Sequence, residues 1–309
     1  MLIFASSDKG GTGRSVTSCN LAYRLSLLGR DVAYLDFDFG SPTAGAIFEI
    51  PKMERGTPDG GLHSYILGEA TEPARVDVRK MTERTSLQER PPGSGKLTLF
   101  PGDFGGAEFH LTDNHIKAAM KLFHDVEREF DVCIVDLSAG RSSALDISLN
   151  AISPRVRKKK QDKDKDRIRW LLFHRWTTQH VIAAGGLLFG DKGIVPYAME
   201  VGFKRADFMR LVRTVRTAVP DTSAFGEKTT AEQTLWVTRS DDHLKALAKG
   251  RSLGQDLLAG TTPLEPMLLW REQVIMDLDV NRRLAKPATA QAFDKLATKV
   301  DDDEAWEGI

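Results

Sequence analysis

Cysteine is scarce in this sequence: only Cys19 and Cys133 occur in 309 residues. Two thiols cannot build a disulfide framework, and both sit in apolar segments, so buried thiols in a reducing compartment are expected. An excess of charge is also missing, since Lys+Arg and Asp+Glu balance at 43 each. No global field therefore favours nucleic acid or an anionic membrane, and any such binding must be local. No apolar run reaches the length of a membrane span, and no leader-like segment precedes the first apolar stretch. A cytoplasmic protein is the expectation.

What is present is a glycine loop at the start of the chain. Leu2-Ile3-Phe4-Ala5 reads as a strand, Lys9-Gly10-Gly11-Thr12-Gly13-Arg14-Ser15 follows, and a helical pattern runs on to Leu28 with Gly29 as its terminator. Strand, glycine loop and helix in that order make an anion cradle: backbone N–H groups turn toward a phosphate and the helix N-terminus adds partial positive charge. The P-loop pattern is Gly-x-x-x-x-Gly-Lys-Ser/Thr. Here Asp8 stands at its first glycine and Arg14 at its lysine.

Further along, apolar strands end in acids. Asp31-Val32-Ala33-Tyr34-Leu35-Asp36-Phe37-Asp38 closes with two carboxylates. Asp131-Val132-Cys133-Ile134-Val135-Asp136, after a helix at about 114–130, closes with a third. Strands that read as continuous apolar runs belong to parallel sheets covered on both faces, and ligands bind at their C-terminal ends. Further strands are expected at 96–102, 171–174, 235–238 and 267–270, and helices at about 177–188, 203–219 and 288–300. The fold class that follows is α/β, a doubly wound, mainly parallel sheet with helices on both faces.

Residues 1–300 read as a single nucleotide-binding domain, with a charged insertion at about 153–169 and an acidic flexible tail at 301–309. Arg155, Arg157, Lys158, Lys159 and Lys160 form a local basic cluster, and Arg205, Arg210, Arg213 and Arg216 mark the 203–219 segment as an arginine-bearing helix. Both leave DNA binding through local basic patches open.

The early lysine in Lys-Gly-Gly-x-Gly-x-Ser resembles the deviant Walker A loop of ParA/MinD ATPases, which belong to the P-loop fold. That resemblance implies a nucleotide-switched dimer, in which Lys9 reaches the partner's nucleotide, serving a protein partner or cargo. It implies phosphate contacts from Gly10, Gly11, Thr12, Gly13, Arg14, Ser15 and Val16. Mg²⁺ is expected at Ser15 and Asp136, with Asp36 in its outer shell, and Asp38 is expected to position the attacking water. The string Asp136-Leu137-Ser138-Ala139-Gly140 is similar to the family's Asp-x-Pro-Ala-Gly segment, without its proline. Thr238-Arg239-Ser240-Asp241 is similar to a base-reading segment, with Arg239 and Asp241 at the nucleotide. An aspartate there suits guanine, an asparagine adenine, while the loop type puts ATP ahead of GTP; a helix cap is the alternative role for Asp241.

Lysine fits as a compact charge between β- and γ-phosphates, whereas arginine is a planar fork of different reach. Slow ATP hydrolysis is the leading expectation, and a non-hydrolysing regulatory or scaffold subunit the alternative. The acidic tail disfavours the membrane-docking helix that MinD carries. In the departing stretch 153–228, the resemblance implies that residues 174–178 lie close to the nucleotide dimer interface, and His174 reads as a core or surface histidine, with a switch or partner role as the alternative.

Overall fold

The computed structural model of the chain describes residues 1–157, 167–220 and 230–308. Eight strands form one sheet: β1 Leu2–Ser6, β2 Val32–Phe37, β3 Val76–Asp77, β4 Leu97–Phe100, β5 Val132–Leu137, β6 Ile168–Arg175, β7 Val212–Val219 and β8 Leu258–Pro263. Their spatial order is β3-β4-β2-β5-β1-β6-β7-β8. Every pairing is parallel except β3 with β4 at the edge.

The apolar strands split their side chains between two cores, as a period of two requires. Leu2, Phe4, Ala33, Leu35 and Phe37 face one core, with the helices Asp113–Glu129, Ser143–Ala151 and Thr178–Phe189. Ile3, Ala5, Val32 and Tyr34 face the other, with the helices Arg14–Leu27 and Pro287–Asp301. Helices thus cover both faces of the sheet. Cys19 and Cys133 are buried and unbridged, and burial holds both thiols above their ordinary pKa, Cys133 at about 12.

Several elements differ from the sequence reading. The 203–219 segment is not one helix: Arg205–Leu211 is helical, and Val212–Val219 is the strand β7. β-Branched residues at 212, 214, 215, 217 and 219 favour the strand. Arg213 and Arg216 are consequently buried, leaving Arg205 and Arg210 as the exposed arginines of that segment. The expected strand at 235–238 lies inside the helix Ala231–Gly250, started by a capping box between Thr230 and Gln233. The expected strand at 267–270 is a single helical turn, Met267–Trp270, with Trp270 90% exposed. β8 carries Gly260 and ends at Pro263, a weak apolar signal that hid it.

The acidic tail folds back rather than fraying. Asp302 caps a short helix, Asp303–Glu307, and Trp306 is only 5% exposed. Its indole N–H donates to the Arg210 carbonyl at 3.1 Å, and the guanidinium carbons of Arg169 and Arg213 lie 4.6 and 5.0 Å from its ring. Asp303 pairs with Arg169 at 2.7 Å and with Arg167 at 2.9 Å. In the charged insertion, Arg157 pairs with Glu127 at 2.6 Å, while Lys158, Lys159 and Lys160 lie outside the described residues.

Candidate functional site

β1 stops at Ser6, and the chain turns through residues 7–13 into the helix Arg14–Leu27. Gly11 (φ 70°) and Gly13 (φ 75°) adopt the left-handed backbone that a β-carbon would strain. Gly13 is the N-cap and brings no side chain to it, so the first-turn N–H groups have no side-chain cap. Three contacts fix the loop. The Gly140 N–H donates to the Ser7 carbonyl at 2.7 Å, the Ser7 hydroxyl to the Lys9 carbonyl at 3.2 Å, and the Thr217 hydroxyl to the Thr12 carbonyl. An uncapped helix end with two left-handed glycines suits a bound phosphate.

Beneath the loop, three acids and one arginine meet. β2 and β5 are paired so that Asp36 lies opposite Asp136. Arg14 is buried. Its Nε donates to Asp136 at 2.6 Å, its Nη2 to Asp38 at 2.9 Å and to the Ser15 hydroxyl at 3.2 Å, and its Nη1 to the Ser7 hydroxyl at 3.4 Å. Burial alone would loosen its proton, but Asp136 and Asp38 outweigh that and raise its pKa. The other oxygen of Asp136 accepts from the Tyr34 hydroxyl at 2.8 Å.

Asp36 is occupied differently. One of its oxygens accepts from the backbone N–H groups of Thr43 and Ala44, both at 3.0 Å. Burial, then the neighbouring Asp136 charge, pushes its pKa to about 8, so near neutrality it is largely protonated. Ser138, where the family segment has proline, accepts from the Phe39 N–H at 3.2 Å and ties β2 to β5.

A cavity of about 790 Å³ opens over the loop. It is lined by Lys9, Gly10, Gly11, Thr12, Gly13, Arg14, Ser15, Val16 and Asp38, with Arg175, Thr217, Thr262, Pro263, Leu268 and Leu269 on its farther walls. That size suits a nucleotide-sized ligand. Asp36 and Asp136 lie beneath it. Lys9 is exposed on the rim and forms no ion pair among the described residues. It is near enough to His180 that its charge, after burial, lowers that histidine's pKa.

Arg239 and Asp241 are not brought to this cavity. Arg239 is exposed on the helix Ala231–Gly250, and Asp241 accepts from the Trp176 indole N–H and from Lys245, both at 2.7 Å. Nor does Asp241 cap a helix, because it lies mid-helix. His174 is buried one residue before the cavity-lining Arg175, and burial lowers its pKa to about 4. Of the farther walls, Arg175 lies in the stretch 174–178 expected near the nucleotide interface, Thr217 falls in a segment expected as helix and the apolar run at 267–269 in one expected as strand, while Thr262 and Pro263 escaped the sequence reading. A second hollow of about 950 Å³, lined by parts of 265–287, carries none of the expected site residues.

The cradle fits a phosphate, whereas the magnesium donors do not fit a metal in this arrangement. Ser15 and Asp136 already receive Arg14, and one Asp36 oxygen is bonded to the backbone of Thr43 and Ala44. Among the described residues no group of three His, Cys, Asp or Glu side chains is set to hold a metal ion.

Comparison with known proteins agrees with the cradle. Residues 3–223 match the family model described as the CobQ/CobB/MinD/ParA nucleotide binding domain. Over 140 residues the chain is 29% identical to an uncharacterized ATP-binding protein of Methanocaldococcus jannaschii, covering 45% of each chain. Over another 140-residue alignment it is 28% identical to the antiactivator FleN of Pseudomonas aeruginosa, covering 45% of this chain and 43% of FleN. The match thus spans somewhat under half the length of either relative. The solved structure of pNOB8 ParA bound to nonspecific DNA shares the fold, with a TM-score of 0.60 at 16% identity, covering 99% of this chain and 98% of that one.

Proposed function

The chain belongs to the CobQ/CobB/MinD/ParA nucleotide-binding family, and we propose that it is an ATP-binding switch whose loaded form joins two copies and engages a protein partner or cargo. One observation carries this reading: an uncapped helix end and glycine loop open into a nucleotide-sized cavity, with Lys9 exposed at its rim. A lysine there, without an ion pair on its own subunit among the described residues, is free to serve a neighbour's phosphates. ATP stands ahead of GTP, because Asp241, the residue that raised guanine, is held by Trp176 and Lys245 instead. The test is sedimentation with a non-hydrolysable ATP analogue. The native chain should dimerise, and Lys9→Ala should stay monomeric; a Lys9→Ala dimer of unchanged stability would refute the reach across the interface.

The partner stays open. DNA is one candidate, through Arg205, Arg210 and the basic cluster at 155–160, and a DNA-bound relative of the same fold supports including it. Membrane docking has little support: the acidic tail is packed against Arg169 and Arg213. No helix among the described residues is long and apolar enough to cross a membrane.

Slow hydrolysis remains the leading reading of the chemistry, and Arg14 favours a second one. Its guanidinium engages Asp38, the acid expected to orient water, and Asp136, expected at the metal. Hydrolysis would require that clamp to open, so a regulatory subunit that binds ATP without turning it over is the alternative. Phosphate release measured with and without a co-purified partner separates the two.

A further inference from the structure

Arg14 stands among the oxygens of Ser15 and Asp136, expected at a divalent cation, and of Asp38, expected to position the attacking water. Ser15, Asp38 and Asp136 each accept from its guanidinium, at 3.2, 2.9 and 2.6 Å. A magnesium ion prefers a near-octahedral shell of oxygens at about 2.0–2.1 Å. Here the Asp136 carboxylate is shared between Arg14 and Tyr34. Asp36, the remaining acid, spends one oxygen on the backbone of Thr43 and Ala44. A divalent cation entering this shell would have to displace the buried guanidinium from oxygens it already holds, at the cost of charge-assisted hydrogen bonds.

We infer that this chain binds nucleoside triphosphate without requiring magnesium, with the Arg14 guanidinium as the fixed cation beneath the phosphates. The inference rests on the nucleotide-binding reading above and deepens it. Guanidinium carries five N–H donors, and the four bonds it makes, one of them a long 3.4 Å contact to Ser7, leave one Nη1–H without an acceptor among the described residues. Together with the first-turn N–H groups of the helix Arg14–Leu27 and its partial positive charge, that donor offers a phosphate hydrogen bonds. A lysine could not reproduce this, since one ammonium cannot span Asp136, Asp38 and Ser15 with a planar fork. The replacement would leave at least one of these oxygens without its hydrogen bond and open to a metal.

The experiment is calorimetric titration of the full chain with ATP, once in excess EDTA and once in excess Mg²⁺, for the native protein and for Arg14→Lys. The native protein should bind with dissociation constants within about threefold in the two buffers, whereas Arg14→Lys should bind at least about tenfold tighter with the metal. Native binding that appears only with Mg²⁺ overturns the inference and leaves the nucleotide reading intact. Absence of binding in both buffers overturns the nucleotide reading itself. Should Arg14→Lys fail to fold by circular dichroism, the native comparison in the two buffers still decides the matter.

Discussion

The two halves of the sheet bury arginine by different means. In the half built from β4, β2, β5 and β1, Arg14 beneath the cavity is held by two carboxylates at strand ends, while the buried Arg24 and Arg79 lie near the Tyr23 ring. In the half built from β6, β7 and β8, three buried arginines lie over indole rings, Arg169 with an ion pair to Asp303 as well. Arg169 and Arg213 flank Trp306, and Arg216 sits 4.2 Å from the ring centre of Trp176. Guanidinium permits both solutions because it is planar, weakly hydrated and always charged. The difference teaches where chemistry can reside. Carboxylates converging on one cation beneath an open cavity make a site; arginines spread on aromatic faces make a scaffold.

The comparison breaks most sharply at Asp136. Asp136→Ala removes the shortest Arg14 contact and the Tyr34 acceptor together, leaving a buried cation half-paired. Losing one partner of such a pair costs about 3–5 kcal/mol, so the urea midpoint should fall markedly. A loss under about 1 kcal/mol would mean that Arg14 is not clamped and that the two halves do not differ in kind.

On the scaffold side, Trp306→Ala should cost about 3 kcal/mol, from lost burial and two guanidinium–ring contacts. Nucleotide affinity, read in the same preparation at a temperature where the variant is folded, should stay unchanged. A frayed tail would give no measurable change in melting, which makes the variant a direct check of the docked helix Asp303–Glu307.

How much of this was legible in the sequence also divides along the same line. The glycine loop, the strand-end acids and the parallel strands at 2–6, 32–37, 97–100 and 132–137 could be read directly, because buried parallel strands are continuous apolar runs. The two-residue edge strand Val76–Asp77 and the short helices between 44 and 88 are too brief to show a period. The second half misled for physical reasons. β7 carries Arg213 and Arg216 at positions that look solvated until the indoles of Trp306 and Trp176 are known to cover them. Leu235-Trp236-Val237-Thr238 has strand composition, yet Thr230 and Gln233 start a helix ahead of it that carries through. The tail looks like a string of acids, and only the distant partners Arg167 and Arg169 make it fold. In the site, the residues were legible but their pairing was not. Nothing local says that Arg14 turns down to Asp136 and Asp38 rather than up to a phosphate.

The halves should also respond oppositely to pH. Asp36 has its pKa raised from 3.8 to about 8, so its contribution to stability is complete below about pH 4 and is lost as pH rises toward 8. His174 has its pKa lowered from 6.5 to about 4, so its contribution is complete above about pH 6.5 and is lost as pH falls toward 4. Asp36→Asn should flatten the alkaline decline in stability between pH 6.5 and 8, and His174→Gln should flatten the acid decline between 6.5 and 4. Denaturant titrations at several pH values measure both. Identical slopes in native protein and variant would show that the group titrates alike folded and unfolded.

The smallest expected effect falls on Asp241, where the sequence pointed to base recognition. Its carboxylate accepts from the Trp176 indole and pairs with Lys245, which is half-exposed. Asp241→Asn keeps an acceptor for the indole and loses only that ion pair, so stability should drop by no more than about 1 kcal/mol. Preference between ATP and GTP should not move, because the side chain belongs to a helix outside the cavity walls. Competition between the two nucleotides on native and variant protein checks it. A shift of about tenfold toward ATP in the variant would mean that the helix Ala231–Gly250 approaches the base when nucleotide binds. That result would join the scaffold half to the chemistry and erase the distinction drawn between them.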